Sequence, residues 1–185
     1  MTDHAERVLT ELLVLRAQAG RRDAVELLVG LWHERLLRHA TRLTGRDDAG
    51  QDVTQEAWIE ITRGLHRIED PTSFGPWAYK IVTRSAARWI RRAMRQRDME
   101  SEAAAQTGVA HAAPSAEGAI DSADAVRVAL RHLPADQRTI IELRYVEEYR
   151  IGQIAGVLGI PPGTVKSRLF QARVDLRRHL NEEIR

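Results

Sequence analysis

The stretch RTIIELRYVEEYRIGQIAGVLGIPPGTVKSRLFQARVDLRR, residues 138–178, decides how the rest of the chain reads. Within it IGQIAGVL is short and apolar on one side, GIPPG interrupts, and TVKSRLFQARVDLRR is longer and basic. Gly159 can take the left-handed conformation that ends a helix, Pro161–Pro162 cannot continue one, and Thr164 stands where an N-cap belongs. Two helices across a tight turn are expected.

A wheel at about 100° per residue separates the faces of the second helix. Val165, Leu169, Ala172 and Leu176 fall together as core, while Ser167, Phe170, Gln171, Val174 and Arg178 point the opposite way. Lys166, Arg173 and Arg177 lie on the flanks. A Phe among hydroxyl, amide and cationic side chains suits a surface that enters a DNA major groove, where Lys can bond guanine, Gln adenine, and Phe can contact the thymine methyl. The plain alternative is a solvated basic helix.

The segment LPADQRTIIELRYVEEYRIGQIAGVLGIPPGTVKSRLFQARVDLRRHL resembles region 4 of bacterial RNA polymerase sigma factors. Leu133-Pro134, Arg138, Leu143-Arg144, Ile154-Ala155, Leu158-Gly159 and Gly163 to Arg168 carry the match. Arg150 departs from it, standing where the family commonly has a capping Ser or Thr. By the resemblance, Thr164, Lys166, Ser167, Phe170, Gln171, Arg173 and Arg177 would face the −35 element.

Composition frames the rest. The 185 residues suffice for one domain or two small ones. No apolar run approaches the ~18 residues that span a membrane, and MTDHAERVLTELL lacks a signal-peptide pattern. The absence of Cys excludes disulfides and thiolate metal sites. A soluble, cytoplasmic protein without membrane insertion is expected. The net charge of +2 divides into −1 for residues 1–19, +4 for 20–98, −5 for 99–125 and +4 for 126–185. Two basic blocks around an acidic connector suit two polyanion-binding modules, although mildly basic globular domains would look alike.

In chain order, Val8, Leu9, Leu12, Leu13 and Leu15 mark a short amphipathic helix in an N-terminal extension, residues 1–22. A helix over 23–44 repeats Leu27, Leu28, Leu31, Leu36, Ala40 and Leu43 at helical spacing, with Gly45 to end it. Another runs from about Asp47 to Ile68, burying Val53, Ala57, Trp58, Ile61, Leu65 and Ile68. Its other face holds Asp52, Gln55, Glu56, Ile59 and Arg63, and Ile59 on that charged surface suits a protein-binding patch. DVTQEAWIEI resembles sigma region 2.2, which implies that Asp52, Gln55, Glu56 and Ile59 bind core polymerase, with Trp58 packed inward.

After the breakers Pro71, Gly75 and Pro76, residues 77–97 form a helix with Ala78, Ile81, Val82, Ala86, Trp89 and Ala93 inside. Lys80, Arg84, Arg88, Arg91 and Arg95 share about 80° of arc opposite, with no acid between 77 and 97. Like charges so spaced weaken a free helix by a few tenths of a kcal/mol per pair, a cost that a polyanion reverses. Trp77 on this stripe and Tyr79 near its edge offer rings for unpaired bases. FGPWAYKIVTR resembles regions 2.3–2.4, so Trp77, Tyr79, Lys80, Arg84, Arg88, Arg91 and Arg95 are the expected −10 set. Arg84 and Arg88 stand where Asn and Asp are frequent.

Residues 99–125, small and acidic, read as a flexible linker. About 27 such residues reach about 30 Å, more when stretched. The expected fold is all-α: a region 2-like domain over 23–98 and a region 4-like domain over 126–185. The resemblance covers residues 23–97 and 126–180 and is nearest to the two-domain extracytoplasmic-function (ECF) type. It implies binding to core RNA polymerase (β′ clamp and β flap), promoter recognition and melting, and an anti-sigma partner. No cofactor or metal is expected, since no HExxH pair, phosphate loop or nucleophile motif occurs. The competing reading is a stand-alone helix-turn-helix regulator with an N-terminal sensing or dimerisation domain.

Overall fold

Hydrophobic spacing at the helical period, interrupted at Gly20, Gly45 and Gly159, produces an all-α chain in the computed structural model, with seven helices bounded among the described residues. The structure describes residues 2–104, 126, 128–130 and 132–183, with side chains for 5–96, 126, 128–130 and 132–180 of these. The helices are α1 (Thr2–Gln18), α2 (Arg22–Thr44), α3 (Asp47–Gly64), α4 (Phe74–Ala104), α5 (Ala135–Tyr145), α6 (Ile151–Leu158) and α7 (Pro162–Glu183). Two 3-10 turns, Leu65–Arg67 and Pro71–Ser73, join α3 to α4.

Helices α2, α3 and α4 enclose the first core. Leu28 and Leu36 from α2, Val53, Ala57 and Ile61 from α3, and Ala78, Val82 and Ala86 from α4 are all buried. Each buried Leu or Ile contributes about 1.5–3 kcal/mol by leaving water. Helices α2 and α3 cross closely at Gly50, where a Cβ would lie 2.2 Å from Thr41 Oγ1 and 2.9 Å from its Cα. His39 is buried neutral against Thr83 (Nε2···Oγ1 3.0 Å), its pKa pushed down to about 3 by burial and then by Arg42. Ile140, Leu143, Ile154, Val157, Val165, Leu169 and Ala172 form the core of the second half.

Several boundaries differ from the sequence reading. Helix α4 begins at Phe74, not after Pro76, because a proline in the first turn lacks only an N–H that has no helical partner. It runs to Ala104, six residues into the stretch read as linker; 105–125 lie outside the described residues. Helix α7 likewise starts at Pro162, and Pro161 C=O accepts the first bond, from Val165 N–H (3.1 Å), so Thr164 is not the cap. Leu27, expected in the core, is 57% exposed. Gly159 does close α6 with φ 67°. At the start of α6 an arginine side chain has no acceptor to offer, and Gln153 Oε1 takes the Arg150 N–H at 2.9 Å instead.

The halves expected to sit apart on a tether touch directly. Helix α6 packs along α4 and α5 against α2, giving a continuous set of buried apolar side chains across both. Tyr149, in the turn before α6, sets its ring against Tyr79 of α4 (centroids 5.7 Å apart, 88° between planes). Arg42 of α2 pairs with Glu142 of α5, and Arg7 of α1 with Glu148. The cationic side of α4 nevertheless stays outside this seam, with Arg84, Arg91 and Arg95 exposed.

Gly50→Ala should lower unfolding free energy by about 1–3 kcal/mol through overpacking at Thr41. Gly30→Ala, with open space around its Cβ, should raise it by about 0.5–1 kcal/mol; urea titration of both variants checks the contrast.

Candidate nucleic-acid and polymerase interfaces

Between residues 77 and 97 helix α4 holds no acid for its arginines, but α3 supplies two. Arg88 donates to Glu60 (3.0 Å) and to Ser85 Oγ (2.8 Å), and Arg92 to Glu56 (3.0 Å). These corrections to the isolated-helix reading arise from tertiary pairing that spacing along one helix cannot show. The pairs are half-exposed and stabilise little on their own, so they hold side-chain direction more than they hold the fold. Lys80, Arg84, Arg91 and Arg95 make no ion pair among the described residues. They leave an uncompensated cationic strip along α4.

Beside that strip lies an open groove of about 560 Å³ between α3 and α4. Ile59 and Ile81 contribute its apolar lining, Trp77 an aromatic ring, and Arg63, Arg67 and Arg84 its cations. Trp77 is half-buried because it packs over Gly64, where a Cβ would come within 2.9 Å of the ring. Phe74 supports it at 6.2 Å between centroids. Tyr79 does not join this surface. It is fully buried, facing His39, Trp32 and Tyr149, so its ring is unavailable for stacking on a base in this arrangement. Burial, with Glu147 and Glu142 close by, pushes its phenol pKa well above the ordinary value.

The α3 set remains together on the outer face. Asp52 and Gln55 are exposed, Ile59 is 52% exposed, and Glu56 is held by Arg92. Trp58 points inward, 9% exposed. Because Glu56 and Ile59 also line the groove, this patch and the Trp77 surface are continuous.

On α7, Lys166, Ser167, Phe170, Gln171, Arg173 and Arg177 are exposed, Phe170 at 61%, and Thr164 is half-buried. Ser167 Oγ donates to Thr164 C=O at 3.0 Å, leaving its oxygen free to accept. Gln171 Nε2 donates to Asp175 (3.2 Å), and Asp175 also accepts from Gln137 of α5 (2.9 Å). These bonds, that from Gln137 first, hold the Asp175 carboxyl below its ordinary pKa. Asp175 thus fixes the direction of Gln171. Sequence reasoning missed this residue and Arg67: an i,i+4 spacing hinted at Asp175, but Gln137 is 38 residues away, and Arg67 reaches the groove only through the 3-10 turn.

Among the described residues no helix is long and apolar enough to cross a membrane. Sequence comparison matches residues 28–96 to Sigma-70 region 2 and residues 123–176 to Sigma-70, region 4. The ECF RNA polymerase sigma-E factor of Haemophilus influenzae is 30% identical over 91% of this chain and 94% of its own length. The RNA polymerase sigma-H factor of Pseudomonas aeruginosa is 31% identical over 87% and 88%. Among solved structures, the sigma factor RpoE of Bartonella quintana, crystallised with the anti-sigma factor NepR, aligns with TM-score 0.60 and 25% identity over 84% of this chain and 96% of that one. CnrH, in complex with the cytosolic domain of CnrY, shares the fold at TM-score 0.61 and 20% identity over 94% and 98%. The chain therefore belongs to the ECF RNA polymerase sigma factors, non-catalytic initiation factors that bind core polymerase and direct it to promoters.

Proposed function

We propose how the promoter-directing work divides among the residues. Asp52, Gln55, Glu56 and Ile59 dock on the β′ clamp, with Ile59 as the apolar centre of a polar patch. The groove and strip of α4 take the opened −10 strand: Trp77 stacks a base, while Lys80, Arg84, Arg88, Arg91 and Arg95 follow phosphates. Helix α7 reads the −35 duplex through Lys166, Ser167, Phe170 and Gln171, with Thr164, Arg173 and Arg177 toward the backbone. The second half also meets the β flap.

The observation that carries this reading is the continuity of the α3 patch with the Trp77 groove and the cations of α4 that have no ion pair among the described residues. One surface can hold the polymerase on one side and displaced DNA on the other. Of the two family departures, Arg88 is partly neutralised by Glu60, so Arg84 supplies the extra free charge. No covalent step is assigned to this chain, and the cytoplasm, where polymerase acts, is its site of action. By analogy with the family an anti-sigma partner holds it inactive, and RpoE of Bartonella quintana forms such a complex with NepR.

Free protein should bind promoter DNA poorly, yet capture core polymerase and enable runoff transcription from a cognate promoter. Tight sequence-specific duplex binding without polymerase would instead mark a stand-alone regulator. Gln55→Ala with Ile59→Ala should weaken core binding and leave −35 binding intact; unaltered core affinity in a binding titration rejects the patch. Changing Gln171 should shift −35 preference by about 1–3 kcal/mol per misread base, whereas Arg177→Ala should weaken all sequences alike. Selection from randomised −35 DNA separates the two, and an unchanged consensus for the Gln171 variant rejects the assignment.

A further inference from the structure

We propose that α1 is a self-association surface, through which two copies of the free chain pair in parallel about a two-fold axis. Helix α1 lies outside the segment matched to Sigma-70 region 2, which begins at residue 28. None of the residues assigned above to polymerase or DNA is on it. One side of the helix is packed. Thr10, Leu13 and Val14 are buried, and Trp32 Nε1 donates to Thr10 Oγ1 (3.1 Å). Gln18 Nε2 donates to the carbonyls of Leu65 (3.0 Å) and Ile68 (2.8 Å), and Arg35 pairs with Glu6. The helix is thus pinned along its length before any partner arrives.

A helix lying on a soluble body normally turns charged side chains outward. Here the outward positions are apolar. Of the seven exposed residues between 5 and 19, six are Ala5, Val8, Leu9, Leu12, Leu15 and Ala19, and the seventh, Arg7, pairs with Glu148. Leu12 and Leu15 are 49% and 53% exposed. The pairs Glu6–Arg35, Thr10–Trp32 and Arg16–Asp23 run antiparallel along α1 and α2, which puts exposed Leu27 level with the middle of this face. An apolar patch of this kind marks an interaction site.

The occupant is read from the pattern of the stripe itself. Ala5, Leu12 and Ala19 fall at the a positions of a heptad, Val8 and Leu15 at d, and Glu11 and Arg16 at g and e on the two flanks. In a parallel pair a g residue faces the e residue of the next heptad on the other helix. Glu11 therefore meets Arg16 of the second copy, once on each side of the axis. Glu11 has no ion pair among the described residues, and Arg16, which holds Asp23 at 3.0 Å, keeps further donors for a second carboxylate. The packed side of α1 is roughly opposite the a/d stripe, so the two bodies lie on the outer sides of the pair. Two heptads are too few for a free coiled coil. Here both helices are already formed and held, which removes most of the ordering cost. Residues 105–125 offer the face little, since Val109 and Ile120 are the only large apolar residues among them.

Sedimentation equilibrium of the full chain between about 1 and about 300 μM should show monomer passing to dimer, as suits an interface below standard size. Leu12→Glu, which puts a charge at the apolar centre, should raise the dissociation constant about tenfold or more. Glu11→Arg and Arg16→Glu should each weaken pairing, and an equimolar mixture of the two should recover it, because only the mixed pair has opposite charges on both flanks. Ala5→Cys, the single thiol in a chain without Cys, should cross-link to its own counterpart under mild oxidation, which an antiparallel pair would not allow. Helicity at the lowest concentration should match the parent chain in every variant. A chain that stays monomeric throughout, a dimer indifferent to Leu12→Glu, or a charge mixture no tighter than its parts overturns the inference. So does a monomer whose α1 amides gain hydrogen-exchange protection only on core polymerase, since the face would then belong to the polymerase.

Discussion

Burial along one side of α4 is the constraint on which the rest depends. Ala78, Tyr79, Val82 and Ala86 are fully or almost fully buried, against α2 and α3 on one flank and α6 on another. A helix covered in this way can display charge only on its remaining face. Lys80, Arg84, Arg88, Arg91 and Arg95 occupy that face, which thus becomes both the basic strip and one wall of the Trp77 groove. Without the core beneath, like-charge repulsion at these spacings would oppose the helix. The fold therefore maintains a cationic surface that the isolated segment would resist.

The partnering of that surface is uneven in a way that suits its use. Glu60 and Glu56 hold Arg88 and Arg92, while Lys80, Arg84, Arg91 and Arg95 meet no acid among the described residues. The anchored arginines help position α4 against α3, and the free ones remain available to phosphate. Release of counterions by the free set gives affinity without sequence. Under the proposed assignment, sequence discrimination falls to oriented groups, such as Trp77 seated on Gly64 and Gln171 held by Asp175.

Much of this was legible in the residues. The 3.6-residue period separated buried Val53, Ala57 and Ile61 from exposed Gln55 and Ile59, and Gly159 marked the end of α6. GTVKSR, with the upstream Leu-Pro and Leu-Arg pairs, carried the resemblance to sigma region 4. What escaped the sequence depends on contacts between distant segments. Tyr79 sits at an angle that a wheel assigns to the edge of the charged stripe, but the seam with Tyr149 buries it completely. Leu27 has core-like spacing, yet lies exposed beyond the packed face of α2. Composition correctly distinguished two basic blocks from an acidic stretch, but could not show that the blocks meet. That contact relies on Gly75, where a Cβ would lie 2.5 Å from the Tyr149 hydroxyl, a spare volume that is invisible without its neighbours.

The central claim is that a single chain, mounted on core polymerase, holds the −35 duplex and the opened −10 strand together. Combined hydroxyl-radical and permanganate footprinting on a promoter found by transcript mapping tests it most directly. The account predicts protection over the −35 element and reactive, unpaired thymines near −10 in the same complex, both dependent on this chain. Protection at −35 with a fully paired −10 region, or an identical footprint from core polymerase alone, would contradict it.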